Sequence, residues 1–470
     1  MASLHDLTAL DQAAAIRAGE VSPADLAAHY FDRIARLDDR IGAYLTVTAE
    51  LAKEQATRAE ERLRSDPDPG RLPPLFGVPI AVKDVTRIEG VRCTYGSAAF
   101  SDSTADADDH VVTKLRAAGT VFLGKTNTPE FALTCYTENR IGPPTRNPWD
   151  LERSPGGSSG GSGAAVAAGL APLAHGTDHG GSIRIPASAC GIVGIKPGRG
   201  RVSNGPRGEY SGMSAHGPMA RTVADAAALL DAMAGPMPGD AVTAPPAGDR
   251  FLDCARRDPG RLRIAVVGTP LLPADIHPDC REAQQQTAKV LASLGHEIAE
   301  ADLPDVSELA DAFISVMSCI AAVPEIPDEN VLMPFTRTLR MIAEGVSGQR
   351  LARALTTFQT VTARLASSLF AQHDIVLSPT LATPPPAVGG LRDDEDQDAE
   401  FAAQAAFMPF TPLYNPCGLP SMSLPALWNA DGLPIGVMLS GRHGSEGTLI
   451  SVAAQIEAAR PWANHKPGLW

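Results

Sequence analysis

Thr177-Asp178-His179-Gly180-Gly181-Ser182-Ile183-Arg184 decides how this chain is read, together with Ser154-Pro155-Gly156-Gly157-Ser158-Ser159-Gly160-Gly161-Ser162-Gly163 just before it. Such runs make poor helix or strand interior. Glycine loses the most backbone entropy, and serine hydroxyls compete for backbone hydrogen bonds. The same residues expose N–H groups and hydroxyls side by side. An acyl-transfer site needs that combination: a nucleophile next to preorganised oxyanion donors.

Working outward, short apolar runs alternate with helical patterns. Residues 75–82 read as a strand entering the core and ending at Lys83-Asp84. Residues 108–118 read as a helix stopped by Gly119, and 120–123 as a strand. The small apolar run 164–168 suits a helix packed very close to a sheet. Runs 170–174 and 191–195 read as further buried strands. Upstream, Ser22-Pro23-Ala24-Asp25 has the N-cap, first-turn proline and first-turn acid of a helix start. Leu26, Tyr30, Ile34 and Leu37 then recur at helical spacing. A charged helix over 49–64 is closed by Asp66-Pro67-Asp68-Pro69-Gly70.

Beyond a Pro/Gly/Ala/Asp-rich link at 235–250, a fresh β–α–β pattern spans 262–267, 282–293 and 296–299. Residues 306–372 read as mainly helical. A strand at 375–377 then enters the proline-rich loop 379–386, and the acidic run 393–396 reads as a solvated loop. The alternation predicts an α/β protein with a layered sheet.

Composition narrows the function. The 470 residues are 44% hydrophobic and 20% charged, with net charge −14. The acidic balance argues against nucleic acid, whose phosphates want basic stripes. No apolar run of ~20 residues predicts a membrane span. The start of the chain shows no basic-then-apolar secretion signal. Seven scattered cysteines without a CxxC pair predict reduced thiols and a cytoplasmic setting.

Several literal motif matches fail on context. Gly119-Thr120-Val121-Phe122-Leu123-Gly124-Lys125-Thr126 fits a P-loop expression, but its intervening residues are themselves the strand. Gly156-Gly157-Ser158-Ser159-Gly160 fits the G-x-S-x-G elbow, yet a polar, proline-bearing stretch stands where a buried strand should. His175 and His179 have helical zinc-ligand spacing, but the surrounding glycines disfavour a helix and no third ligand joins them, so no metal is expected. Lys83 has two readings: a lysine that reaches solvent or pairs with Asp84, or a desolvated lysine serving as a base.

Taken together, these segments resemble the amidase signature family. The resemblance runs from 76–84 through 123–131, 146–149, 154–163, 176–184 and 194–197. It returns at Asn415-Pro416-Cys417-Gly418-Leu419-Pro420 and at 432–437. It implies a three-layer α/β/α fold with a large, mixed, twisted sheet. It also implies a single domain: N-terminal helices (1–70), a signature core (70–235), a variable part shaping the pocket (236–400) and a returning core segment (401–470).

The family's Ser–cis-Ser–Lys triad carries over as nucleophile Ser182, bridging Ser158 and base Lys83. The implied oxyanion donors are the N–H groups of His179, Gly180, Gly181 and Ser182. Ser159, Asp178 and Arg184 match bracing positions. Ala132, Thr177 and Cys319 match substrate-binding positions, Cys319 by rough placement only, with a buried core cysteine as the alternative. No cofactor is implied.

The implied activity is hydrolysis of small neutral amides, anilides or carbamates by a monomer or homodimer. The alternatives are an amidotransferase A-type subunit working in a complex and a non-catalytic relic. The segments Arg146-Asn147-Pro148-Trp149 and Pro186-Ala187-Ser188-Ala189-Cys190-Gly191 are similar to those of members hydrolysing 6-aminohexanoate cyclic dimer, and of aryl acylamidases. Two departures stand out: Met438 where many members have glutamine, and no Ser-Ser-Leu-Asp-Gln stretch in 202–217.

Overall fold

The computed structural model describes residues 3–66 and 68–470. Met1 and Ala2, where the chain start was inspected for a signal, lie outside it, as does Pro67 of the predicted helix stop. One eleven-stranded sheet gathers segments from nearly the whole chain. Its strands are β1 (Tyr44–Val47), β2 (Pro79–Lys83), β3 (Val121–Thr126), β4 (Leu173–Asp178), β5 (Val193–Lys196), β6 (Ala215–Ala220), β7 (Arg263–Val266), β8 (Glu297–Glu300), β9 (Ile375–Pro379), β10 (Ser421–Trp428) and β11 (Pro434–Gly441). Their order is β1-β3-β2-β4-β6-β5-β10-β11-β9-β7-β8. The sheet is mixed: β3-β2-β4 and β9-β7-β8 are parallel, and the strands between β4 and β9 pair antiparallel.

Strands β2 to β6 are buried along their full length, and their residues feed two different cores. Ile80 and Val82 pack into one layer, with Val223, Leu229 and Ile450 from its helices. Ala81 packs into the other, with Tyr30, Ala164 and Ala168. This is the predicted α/β/α layering, and it follows from the alternation of successive side chains across a strand.

The predicted helices are present with shifted ends. Pro23–Ile41 starts on the Ser22 cap, whose hydroxyl accepts from the Asp25 N–H at 3.0 Å. The helix Gly160–Ala167 is as close to the sheet as its small residues suggest. A Cβ on Gly161 would stand 2.4 Å from the Asn127 backbone nitrogen. The 306–372 region resolves into Leu309–Ala322, Pro334–Glu344, Gly348–Ser367 and Leu369–Gln372. The acidic run 393–396 is a largely exposed loop, as expected; Asp394 pairs with Arg392, and Asp396 caps the helix Gln397–Phe407.

The P-loop match is accounted for by burial. Lys125 lies on β3, fully buried, 2.9 Å from Asp84. Neither group is free to meet a phosphate.

Candidate active site

The two glycine–serine turns meet at the C-terminal ends of β2 and β4. Lys83 closes β2, and Asp178 closes β4. Because Asp84 is spent on Lys125, Lys83 is left to point elsewhere. Its amine lies 2.7 Å from Ser158 Oγ and 2.9 Å from Thr177 Oγ1. The lysine is completely buried, and burial holds its pKa well below the usual lysine range, with Asp178 opposing weakly.

Ser158 follows a cis peptide bond from Gly157. Ser159 ties the two turns together. Its N–H donates to the Ser182 carbonyl at 3.1 Å, and its hydroxyl donates to the Thr177 carbonyl at 3.1 Å. Ser182 is 8% exposed, and its hydroxyl has no hydrogen-bond partner among the described residues. A hydroxyl that nothing else holds is available to attack.

The turn carrying Ser182 is built on a buried ion pair. Arg184 Nη2 lies 2.9 Å from Asp178 Oδ1, and Nε lies 3.0 Å from Oδ2. The same carboxylate accepts the N–H groups of Gly181 (2.7 Å) and Ile183 (3.1 Å). Burial pushes the Asp178 carboxyl up, but the Arg184 guanidinium and the donated hydrogen bonds hold it far below the carboxylate range. Gly181 is therefore already committed to Asp178. His179, Gly180 and Ser182 have no backbone acceptor among the described residues.

The C-terminal segment completes the loop. Thr411 Oγ1 donates to the Gly180 carbonyl at 2.6 Å, and Asn415 Nδ2 donates to the Asp178 carbonyl at 2.8 Å. Arg184 also donates to the Thr411 carbonyl (2.9 Å) and to Asn415 Oδ1 (2.5 Å). Met438 places its sulfur 3.4 Å from Arg184 Nη1. Neither Thr411 nor Asn415 was assigned a role from sequence. Asn415 was visible only as part of a motif, and Thr411 had no signal beyond preceding a proline.

A cavity of about 340 Å³ opens onto this cluster, lined by Ala132, Thr177, His179, His216, Arg207 and Tyr210 among others. Ala132 reaches its wall through unusual backbone. Phe131 and Ala132 are consecutive non-glycine residues at φ 50° and 58°, a conformation costing about 1–3 kcal/mol each. They are fixed by the Phe131 N–H to Tyr95 carbonyl bond (2.7 Å) and by Glu130, which accepts from Ser97 Oγ and the Met333 N–H. Cys319 is half-buried on the helix Leu309–Ala322 and is not in the cavity wall.

His175 is not a ligand partner of His179. It lies on β4 with Nε2 2.8 Å from His216 Nδ1, both rings buried. Burial holds the His216 ring down to about 4.

A family profile described as Amidase matches residues 25–450. The chain belongs to the amidase family. The putative amidase AmiB2 of Mycobacterium tuberculosis (strain ATCC 25618 / H37Rv) is 41% identical over 449 residues, covering 94% of this chain and 93% of that protein. The 6-aminohexanoate-cyclic-dimer hydrolase of Paenarthrobacter ureafaciens is 37% identical, covering 99% and 97%. A solved structure of 6-aminohexanoate cyclic dimer hydrolase superposes with TM-score 0.93 at 33% identity, over the whole of both chains. A bacterial aryl acylamidase structure gives TM-score 0.87 at 26% identity, covering 98% of each chain. The amidase signature fold and family expected from sequence are thus both present, and the chain is an amidohydrolase acting on C–N bonds. Among the described residues, no helix is long and apolar enough to cross a membrane.

Proposed function

We propose that this amidase is a serine hydrolase of small neutral amides, anilides or carbamates, with Ser182 as nucleophile, Ser158 as proton relay and Lys83 as base. One observation carries the reading: a fully buried lysine whose side-chain hydrogen bonds, among the described residues, go only to two hydroxyls. A lysine in that setting is held neutral by desolvation. Neutral Nζ has two N–H groups and one lone pair. An N–H donates to Thr177 Oγ1, and the lone pair accepts the Ser158 proton.

The steps then balance. Ser158 gives its proton to Lys83 and takes one from Ser182. Ser182 Oγ bonds to the carbonyl carbon, and the oxyanion accepts from the N–H groups of His179, Gly180 and Ser182. The Gly181 N–H keeps the loop in shape through Asp178 and completes the expected set of four only if that bond is released. Collapse breaks the C–N bond, and the amine leaves with the proton returned through Ser158. Water then repeats the sequence on the acyl-enzyme, breaking the C–O bond to free the acid. Each oxyanion donor of this kind commonly contributes ~10²–10³ in rate.

The cavity supports a small substrate, and seven free cysteines support a reducing, cytoplasmic setting. The lack of a Ser-Ser-Leu-Asp-Gln stretch in 202–217 favours independent activity over an amidotransferase subunit. The test is hydrolysis of a p-nitroanilide or urethane by the purified chain alone. Activity abolished by Ser182→Ala, with a fluorophosphonate labelling Ser182 in the parent, is the expected result. Glutaminase activity that appears only with added partner subunits would favour the amidotransferase reading.

A further inference from the structure

A second cavity, of about 90 Å³, lies beside the first and differs in chemistry. Its walls include Leu133, Leu309, Phe313, Met317, Leu339 and Met408. The one polar lining residue among those described, Gln404, is already used: its Oε1 accepts the Cys135 N–H and its Nε2 donates to Glu400. The lining is overwhelmingly apolar, and its polar side chain is already bonded within the protein, so the space favours an apolar occupant.

Three features join this cavity to the nucleophile turn. The helix Leu309–Ala322 runs along both cavities on one stripe. Leu309, Phe313 and Met317 line the apolar one, while Ile320, followed past the helix end by Pro324, lines the polar one. That three-to-four spacing keeps side chains on one helix face. The Phe313 ring also touches the oxyanion turn: a Cβ on Gly180 would stand 3.0 Å from its Cζ. Finally, two neighbouring pairs link the walls. Leu133 follows Ala132 of the polar cavity, and Pro412 follows Thr411, whose hydroxyl holds the Gly180 carbonyl.

We propose that the apolar cavity is a second lobe of the substrate site, taking one aryl ring or compact branched alkyl group of the amide, with Phe313 as the partition setting its reach. The inference rests on the amidohydrolase reading above and names its substrate class: amides with an apolar group close to the scissile bond. About 90 Å³ is smaller than the ~150 Å³ of an engineered apolar cavity that takes benzene, so the lobe has room for at most one ring or a compact alkyl group and none for a long chain. The apolar rim agrees: Phe401 of this cavity is 37% exposed and stacks on Phe335, and Tyr210 of the polar cavity is 46% exposed. Discrimination by an apolar lobe is commonly ~10–200-fold for small changes in the group it holds.

The experiment measures kcat/KM for two matched pairs. One pair carries the ring on the acyl side (phenylacetamide against acetamide). The other carries it on the amine side (4-nitroacetanilide against N-methylacetamide). Met317→Trp fills the lobe, and the aryl-over-alkyl ratio is expected to fall at least tenfold in one pair or both. Phe313→Ala enlarges it, and the ratio of 1-naphthylacetamide to phenylacetamide is expected to rise at least tenfold. Leu339→Phe repeats the filling should Met317→Trp not fold. Ratios within twofold of the parent in folded variants overturn the lobe.

Binding of 4-fluorotoluene, followed by ¹⁹F NMR, separates the two readings. Binding that is lost in the filled variant, in a chain hydrolysing no amide, keeps the lobe and defeats the amidohydrolase reading. Ser182-dependent hydrolysis with no probe binding and flat ratios does the reverse.

Discussion

Lys83 Nζ lies 2.7 Å from Ser158 Oγ, and among the described residues no carboxylate hydrogen-bonds it. The adjacent acid, Asp84, is held by Lys125 at 2.9 Å. On the proposed mechanism a lysine, rather than a histidine, is the base of the site. Lys83→Met, Ser158→Ala and Ser182→Ala should each lower kcat by at least about 10³, and combining them should cost little more than the worst single change, because they act as one unit. Steady-state kinetics of the single, double and triple variants on a p-nitroanilide check this. Multiplying losses would contradict a shared relay.

Activity should rise with pH. The base works only when neutral, and burial lowers its pKa, so the rising limb should sit below the ordinary lysine value of about 10.4. A limb at or above the ordinary lysine value would contradict a desolvated Lys83 as base. Thr177→Val gives the sign a second check. The Thr177 hydroxyl accepts from the amine and so favours its protonated form. Removing it should move the limb to lower pH and reduce kcat/KM by about tenfold, the scale of one hydrogen bond.

The same shift has a consequence for stability. A lysine whose folded pKa is lowered binds fewer protons folded than unfolded, so folding becomes more favourable as pH rises toward the unfolded pKa. Wild type should therefore gain stability relative to Lys83→Met between pH 7 and 10, with a slope of at most about 1.4 kcal/mol per pH unit. Urea unfolding at several pH values measures it, and a slope of the opposite sign would refute a buried neutral amine.

Asp178 and Arg184 form a fully buried pair. Removing one partner of such a pair leaves an uncompensated charge, at a cost of about 3–5 kcal/mol. Arg184→Met should lower Tm and kcat together, because Asp178 also shapes the turn through Gly181 and Ile183. Asp178→Asn strands the Arg184 charge in the same way and should also lower Tm and kcat together. Differential scanning calorimetry paired with kinetics checks both.

Glycine positions split sharply. Gly161→Ala would set a Cβ 2.4 Å from Asn127 N and 2.6 Å from the Ala43 carbonyl, whereas Gly208→Ala meets nothing within 4 Å. The first should abolish soluble expression or activity. The second should leave Tm within about 1 °C. Circular dichroism and melting curves suffice.

The legibility of the site in the sequence followed this same physics. Where a Cβ has no room, as at Gly161 against the Asn127 and Ala43 backbone or at Gly181 against the Thr411 side chain, only glycine fits, and the requirement shows as an unusual run of letters. Lys83 was legible because a lysine ending an apolar strand is anomalous. The apolar lobe was not: Leu309, Phe313, Met317 and Leu339 look like any amphipathic helix core, and only packing reveals that they enclose space. Gly181 was given an oxyanion role that its bond to Asp178 now contests, since sequence cannot say which acceptor an N–H will meet. Cys319 was placed near the substrate by position alone; it lies on the helix Leu309–Ala322 that borders the cavity, without lining it.

The bonds that Thr411 and Asn415 make to Gly180, Asp178 and Arg184 bind the middle of the chain to its last part. Synthesis proceeds from the N-terminus at about 5–20 residues per second. Until residues 411–415 have emerged, the nucleophile turn exists without its far-side supports. A nascent chain halted before residue 411 should carry Lys83, Ser158 and Ser182 and yet stay inert. Competence on this reading arrives only once residues 411–415 have been made and have folded back onto the turn.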